Sequence, residues 1–249
     1  MTIALEREVD PERLRDFVSQ AVGEVGATLN TALVVLGDRL GLYRGLAGAG
    51  PLTPVELASR TGTAVRYVQE WLCSQAAGGF VEYDPDTARF SLPPEQAVAL
   101  TDEASPYFLP GLFQFALGAV IGSSRITDAA RTGEGAEWDT QGGDVHEGCE
   151  RFSRPAYSAH LTTSWLPALD GVVSKLEAGA VVADVGCGRG ASTELMAQAY
   201  PNSRFVGSDQ HAPSIDVARD RAESAGFGTR LRYEVTPAAA LTGGPYDLV

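Results

Sequence analysis

Five residues, Gly186-Cys187-Gly188-Arg189-Gly190, lie between an apolar run, Val181-Val182-Ala183-Asp184-Val185, and a helical segment that begins at Ala191. Three glycines so close together allow backbone conformations that other residues avoid. Placed between a strand and a helix, such a loop lets main chain approach a ligand, with the helix N–H groups facing it. The chain beyond repeats the alternation. The helix from Ala191 is expected to reach Tyr200 and to bury Leu195, Met196 and Ala199. Arg204-Phe205-Val206-Gly207 reads as a second strand ending at Ser208-Asp209, and 214–225 as a helix stopped by Gly226. Leu231, Tyr233 and Val235 mark a third strand, and Tyr246-Asp247-Leu248-Val249 opens a fourth. Strands alternating with helices predict an α/β fold with a parallel, doubly wound sheet.

Two acids refine the reading. Asp209, at the tip of the second strand, suits a bidentate grip on ribose hydroxyls. Asp184 precedes the first glycine at the end of what should be a central strand, where a carboxylate is costly to bury unless a cation or donor meets it. Gly186, Gly188 and Ala191 also satisfy the looser dinucleotide pattern, so a nicotinamide oxidoreductase is one alternative. Asp184 argues against it, because it would repel a pyrophosphate and welcome the amino group of an amino-acid ligand.

Upstream the period is helical. Residues 11–48 carry Leu14, Phe17, Val18, Ala21 and Val22 at i, i+3, i+4 spacing, and the run LNTALVVLGDRLGLYRGL (29–46) is apolar enough to face several other helices. Thr53, Pro54 and Glu56 make a helix start with a capping box. Thr63 is placed to cap a second helix over 64–76, with Val65, Val68, Trp71 and Leu72 inward, ended by Gly78-Gly79. Phe80-Val81-Glu82-Tyr83 and Ala88-Arg89-Phe90-Ser91-Leu92 flank Asp84-Pro85-Asp86-Thr87 as a β-hairpin. Helix, turn, helix and hairpin together predict a winged helix. Its wing carries Glu82, Asp84 and Asp86 against Arg89, which repels phosphate, so an architectural or dimerising use is expected rather than DNA binding.

Between these parts, 93–156 reads as Gly/Asp/Glu-rich loop and short helix. His146 and Cys149 are too few for a metal centre and read as surface polar residues. Residues 157–177 read as helices leading into the sheet. The uncharged stretch 107–124 reaches spanning length, but Pro110, Gln114 and its glycines favour a buried or interface helix over a membrane span. The formal charge is -13, from 32 acidic and 19 basic side chains, which further disfavours a general nucleic-acid binder. The opening MTIALERE is charged and has no apolar core, so no leader is read there. Three widely spaced cysteines, Cys73, Cys149 and Cys187, fit a reducing, cytoplasmic setting.

The segment Asp184-Val185-Gly186-Cys187-Gly188-Arg189-Gly190 resembles the first motif of class I S-adenosylmethionine-dependent methyltransferases, and FVGSDQHAPSI (205–215) resembles their second. The likeness is strong over about 70 residues, and the winged-helix segment resembles the dimerisation domain that many small-molecule methyltransferases carry. It is also similar to winged-helix methyltransferases labelled transcriptional regulators, which makes a cofactor-binding regulator the second alternative. The resemblance implies S-adenosylmethionine as cofactor. Gly186, Gly188 and Gly190 would shape the loop under its methionine part, with Cys187 a small filler among them. Asp184 would hold its amino group and Asp209 the ribose diol, with Gln210 beside the adenine. Where relatives place an acid against the adenine amine, this chain reads Thr236-Pro237, so Thr236 stands in with a weaker hydrogen bond. His211 reads as a residue of the helix start rather than a base, and no catalytic residue can be named.

The expected organisation is a winged-helix, dimerising domain over 1–100, a helical linker and substrate side over 101–178, and a Rossmann-like cofactor domain over 179–249. Four strands are fewer than the six or so such a sheet uses. The sequence therefore reads as a C-terminally truncated part of a small-molecule methyltransferase, weak or inactive as a catalyst. Its expected partners are a small methyl acceptor and a second copy, with no metal, membrane or DNA.

Overall fold

The computed structural model describes residues 9–249. The charged opening over 1–8, on which the reading of no leader rests, lies outside them. Asp10 accepts the Glu12 and Arg13 amides and starts α1 (Pro11–Arg39), satisfying donors that the first turn of a helix leaves free. The first half of α1 carries its apolar stripe in solvent: Leu14, Phe17, Val18, Val22, Val25 and Leu29 are all exposed. The second half enters a core with α2 (Leu42–Leu46), α3 (Pro54–Thr61) and α4 (Val65–Ala77). Gly37 makes this possible, because a Cβ there would run into the Trp71 and Tyr43 rings.

The capping box forms as expected, with Thr53 N donating to Glu56 Oε2 at 2.7 Å and Glu56 N to Thr53 Oγ1 at 3.3 Å. The start of α4 departs from expectation. Ala64 takes the cap position with no side-chain bond, and the Thr63 hydroxyl pairs with Thr61 instead, at 2.7 Å. The inward stripe is Val68, Trp71, Leu72 and Gln75, while Val65 is exposed. The fully buried Gln75 amide is satisfied by Tyr43 Oη, which donates to it at 2.5 Å, and by Asn30 Oδ1 at 2.9 Å. The wing is β1 (Glu82–Asp84) antiparallel to β2 (Arg89–Ser91), and Leu52 exchanges two 2.8 Å backbone bonds with Phe90 on its other side.

Residues 93–156 are far more helical than their composition predicts. They hold α5 (Pro94–Thr101), α6 (Pro110–Ile121), α7 (Ser123–Thr132) and most of α8 (Gly143–His160). Glycines and an interior Pro155 lower the propensity of α8, and packing overrides it. Gly111 and Gly148 let the backbones of α6 and α8 touch, since a Cβ on Gly111 would sit 2.6 Å from Phe152 N. The stretch around α6 is thus an interface helix, packed on α8 and α1. No helix among the described residues is long and apolar enough to cross a membrane.

A π-turn over Leu161–Trp165 and α9 (Val172–Ala178) lead into the sheet. Its strands β3 (Val181–Val185), β4 (Arg204–Asp209) and β5 (Leu231–Val235) are parallel in the order β3-β4-β5, with α10 (Ala191–Ala199) and α11 (Ala212–Ser224) between them. The expected fourth strand is a single parallel bridge, Val182 to Leu248, on the free side of β3. Helix α10 is rotated from its predicted face: Ala191, Thr193, Met196 and Ala197 are buried, Leu195 is half-buried and Ala199 is exposed. On the buried face, Thr193 donates its hydroxyl to Asp184 at 2.7 Å, and Met196 and Ala197 join the core.

Candidate functional site

The glycine loop closes the C-terminal end of β3 over the end of β4. Gly186, Gly188 and Gly190 all have positive φ, +77°, +54° and +80°. Only glycine adopts such angles without strain. Gly190 is packed against Tyr233. Tyr233 Oη donates to its carbonyl at 3.2 Å, and a Cβ on it would run into that same hydroxyl. By contrast, a Cβ on Gly186 or Gly188 would meet nothing within 4 Å. The loop therefore packs down at its end and faces open space at its start, as a cradle for a ligand requires.

Asp209 braces the loop. Its Oδ2 accepts the Gly188 amide and its Oδ1 the His211 amide, both at 2.9 Å. A carboxylate offers about four acceptor positions, so two remain beyond these bonds. Asp184 is met by hydroxyls: Ser192 Oγ at 2.6 Å and Thr193 Oγ1 at 2.7 Å both donate to its Oδ2. Its Oδ1 accepts nothing among the described residues, and the side chain is half-buried. Neither hydroxyl was picked out in the sequence, although both stand in the first turn of the helix that follows the loop.

Cys187 is buried under the loop, with Sγ 2.9 Å from where a Cβ on Gly207 would lie. Burial, and then the charges of Asp184 and Asp209, push its thiol well above the usual range, so it stays protonated and inert. Gln210 is exposed, and Thr236 is half-buried with its amide donating to the Asp209 carbonyl at 2.9 Å. The structure thus brings Asp184, Gly186, Cys187, Gly188, Gly190 and Asp209 together, with Gln210 and Thr236 flanking Asp209.

His146 is a correction. It is buried rather than a surface residue, and its ring stacks on His211 with centroids 3.7 Å apart and planes 11° apart. Burial, and next the neighbouring His211, lower its pKa and favour the neutral ring. Cys149 is half-buried on the same helix. No spacing in the sequence could have shown this stack, since its two residues come from α8 and from the turn after β4.

A second group missed by sequence lies behind the loop. Glu150 of α8, its side chain 8% exposed, accepts from Arg154 at 2.5 Å and from Arg221 at 3.0 and 3.3 Å, with Arg189 of the loop at 3.9 Å. Burial works against its charge, but Arg221 and Arg154 outweigh that and hold the carboxyl below its ordinary range. These residues line a cleft of about 430 Å³ that also meets Asp38, Arg44 and Arg151 from the helical side. A larger cavity, about 800 Å³, lies against the wing and α4, apart from the glycine loop.

In comparison with known proteins, residues 28–102 match the Rv2258c-like winged HTH domain and residues 182–249 match the Methyltransferase domain. A trans-aconitate 2-methyltransferase of Afipia carboxidovorans is 44% identical over 46 residues, covering 18% of each protein. A release factor glutamine methyltransferase of Chlorobaculum tepidum is 34% identical over 73 residues, 27% of this chain and 25% of the relative. The matched stretch spans only about a quarter or less of these curated relatives. Among solved structures, the mitomycin 7-O-methyltransferase MmcR superposes with a TM-score of 0.64 at 22% identity, covering 95% of this chain and 70% of that one. Human N-acetylserotonin methyltransferase, in complex with S-adenosylmethionine, gives 0.57 at 16% identity, covering 93% and 67%. PigF with S-adenosylhomocysteine gives 0.64 at 18%, covering 92% and 70%.

Proposed function

We propose that this chain, a winged-helix region joined to a methyltransferase domain of the class I fold, binds S-adenosylmethionine and serves methyl transfer to a small molecule. The observation that carries the reading is the pairing of the open glycine cradle with Asp209 and Asp184 at adjacent strand ends. The donor set fits the cofactor: two free acceptor positions on Asp209 for a ribose diol, and the free Oδ1 of Asp184 for an ammonium. Gly186, Cys187, Gly188 and Gly190 would run under the methionine part, with Gln210 and Thr236 toward the adenine. When bound, the cofactor supplies an activated methyl group on a sulfonium. The chain's own contribution to an in-line transfer is alignment, an effect that can reach roughly 7–11 kcal/mol. Two solved enzymes of this fold are named for small acceptors, mitomycin and N-acetylserotonin, which supports the substrate class. Calorimetric titration with S-adenosylhomocysteine should give saturable heat at micromolar ligand. No heat up to high micromolar concentrations would overturn the reading.

The winged helix is assigned to self-association rather than to DNA. Arg66 on α4 is held by Glu70 at 2.9 Å, and the wing exposes Glu82, Asp84 and Asp86. The exposed stripe Leu14, Phe17, Val18, Val22, Val25 and Leu29 suits a second copy of the same helix, since isolated apolar stripes of this length seldom face water. Light scattering should find a dimer that Phe17→Asp with Val25→Asp converts to monomer. A monomeric parent protein would refute the assignment.

A further inference from the structure

The glycine loop is pinned from two directions. The sheet holds it through Ser208, whose carbonyl accepts the Gly186 and Cys187 amides at 2.7 and 3.0 Å, through Asp209 on the Gly188 amide, and through Tyr233 on the Gly190 carbonyl. A further pin acts on Arg189, between Gly188 and Gly190, and it comes from outside. Glu150 faces the Arg189 guanidinium at 3.9 Å, and it also grips Arg221, whose Nη1 donates to the Arg189 carbonyl at 3.3 Å. Both the side chain and the main chain of Arg189 are therefore tied to one buried carboxylate on α8. The next residue on that helix, Arg151, reaches the opposite way, to Asp38 of α1 and Gln114 of α6, each at 2.8 Å. With Gly148 pressed on α6, α8 cannot slide independently of the helical region. We infer that Glu150 is a positioning residue for the cofactor loop, transmitting the placement of α8 to Arg189 and thereby holding the cradle in its ligand-ready shape.

The chemistry supports a role beyond packing. Without its charge, three guanidiniums, Arg154, Arg189 and Arg221, face one another around a half-buried site, with Glu194, 3.6 Å from Arg154, left to offset them. Like charges in such a place repel strongly, and the loop is the part free to move. A neutral residue of the same shape at position 150 would leave the helix intact and release the loop.

This inference rests on the cofactor reading above, and the tests separate the two. Glu150→Gln should raise the dissociation constant for S-adenosylhomocysteine by about tenfold, the scale of one lost charge-assisted hydrogen bond. It should also speed amide exchange over 186–191 while leaving exchange in α4 unchanged. Glu150→Asp should recover part of the affinity. Arg189→Gln, which leaves Glu150 with its two other arginines and so spares the fold, should weaken binding comparably. The double substitution should lose little more than either single one. A parent protein that binds ligand, with Glu150→Gln and Arg189→Gln variants that bind within twofold of it, would overturn the positioning role alone. Additive losses in the double variant, or a lower melting temperature with unchanged affinity and loop exchange, would also overturn it. A parent protein that binds no ligand would overturn the cofactor reading, and this inference with it.

Discussion

Asp209→Ala is expected to abolish measurable binding of S-adenosylhomocysteine, weakening it by at least about a hundredfold, and to destabilise the fold by about 2–4 kcal/mol. The two effects have different origins in one side chain. Its oxygens accept the amides of Gly188 and His211, so alanine leaves two backbone donors without an acceptor next to a largely buried position. Leaving a donor unsatisfied costs about 1–3 kcal/mol each. The ligand effect adds the lost grip on a diol and the relaxation of a loop that Asp209 braces. Asp209→Asn should fall between, because its amide can accept on one side only. Calorimetry with S-adenosylhomocysteine and urea denaturation measure the two parts separately. Affinity within threefold of the parent protein would show that Asp209 is a brace and nothing more.

Gly148→Ala is expected to destabilise by about 2–4 kcal/mol, a large loss for the addition of one methyl group to a helix, where alanine is normally the better residue. The added Cβ would run into the Phe115 amide nitrogen and lie 2.8 Å from the Gly111 carbonyl oxygen and 2.9 Å from Phe115 Cα. These are backbone atoms, so relief requires α6 and α8 to separate. That separation would carry Glu150 away from Arg189, and weaker ligand binding should accompany the lost stability. Denaturant unfolding measures the first and calorimetry the second. A change within 0.5 kcal/mol would mean that the helices do not cross with backbones in contact.

Much of the candidate site is legible in the sequence alone. Asp184, the three glycines and Asp209 are local signals: a strand end, a turn and the next strand end, all within 26 residues of sequence. Their meaning depends on chain geometry over short spans, and three glycines between a strand and a helix have few other uses. The Thr53 capping box and the wing were legible for the same reason, because their closing residues, Thr53 with Glu56 and Asp84 with Arg89, stand three and five positions apart. Failures began where a residue's partner was distant. Thr63 looked like a cap, but its hydroxyl found Thr61 instead. Leu195 looked like the core face of α10, but it is half-buried, and the buried face carries Thr193, bonded to Asp184.

The stretch over 93–156 shows the larger failure. Its Gly/Asp/Glu-rich composition read as loop and short helix because propensity treats each residue alone. In the fold, Gly148 is what lets α8 press against α6, and that contact sustains a helix its own composition does not favour. His146 read as a surface residue for a related reason, since its stacking partner is 65 positions away. Glu150 and Arg221 are separated by 71 positions, and nothing in either neighbourhood marks them as a pair.

The sequence by itself determined the local chemistry: a strand-loop-helix cradle, acids at two neighbouring strand tips, a capped helix pair and an acidic wing. Each depends on hydrogen bonds and steric limits that operate within a few residues. Tertiary structure alone decided what stands behind the cradle, because burial of the imidazole stack and of the Glu150 carboxylate depends on how α8 packs between two cores. Burial is a property of surfaces brought together from distant positions. It turns an ordinary glutamate into the residue on which three arginines and one loop converge.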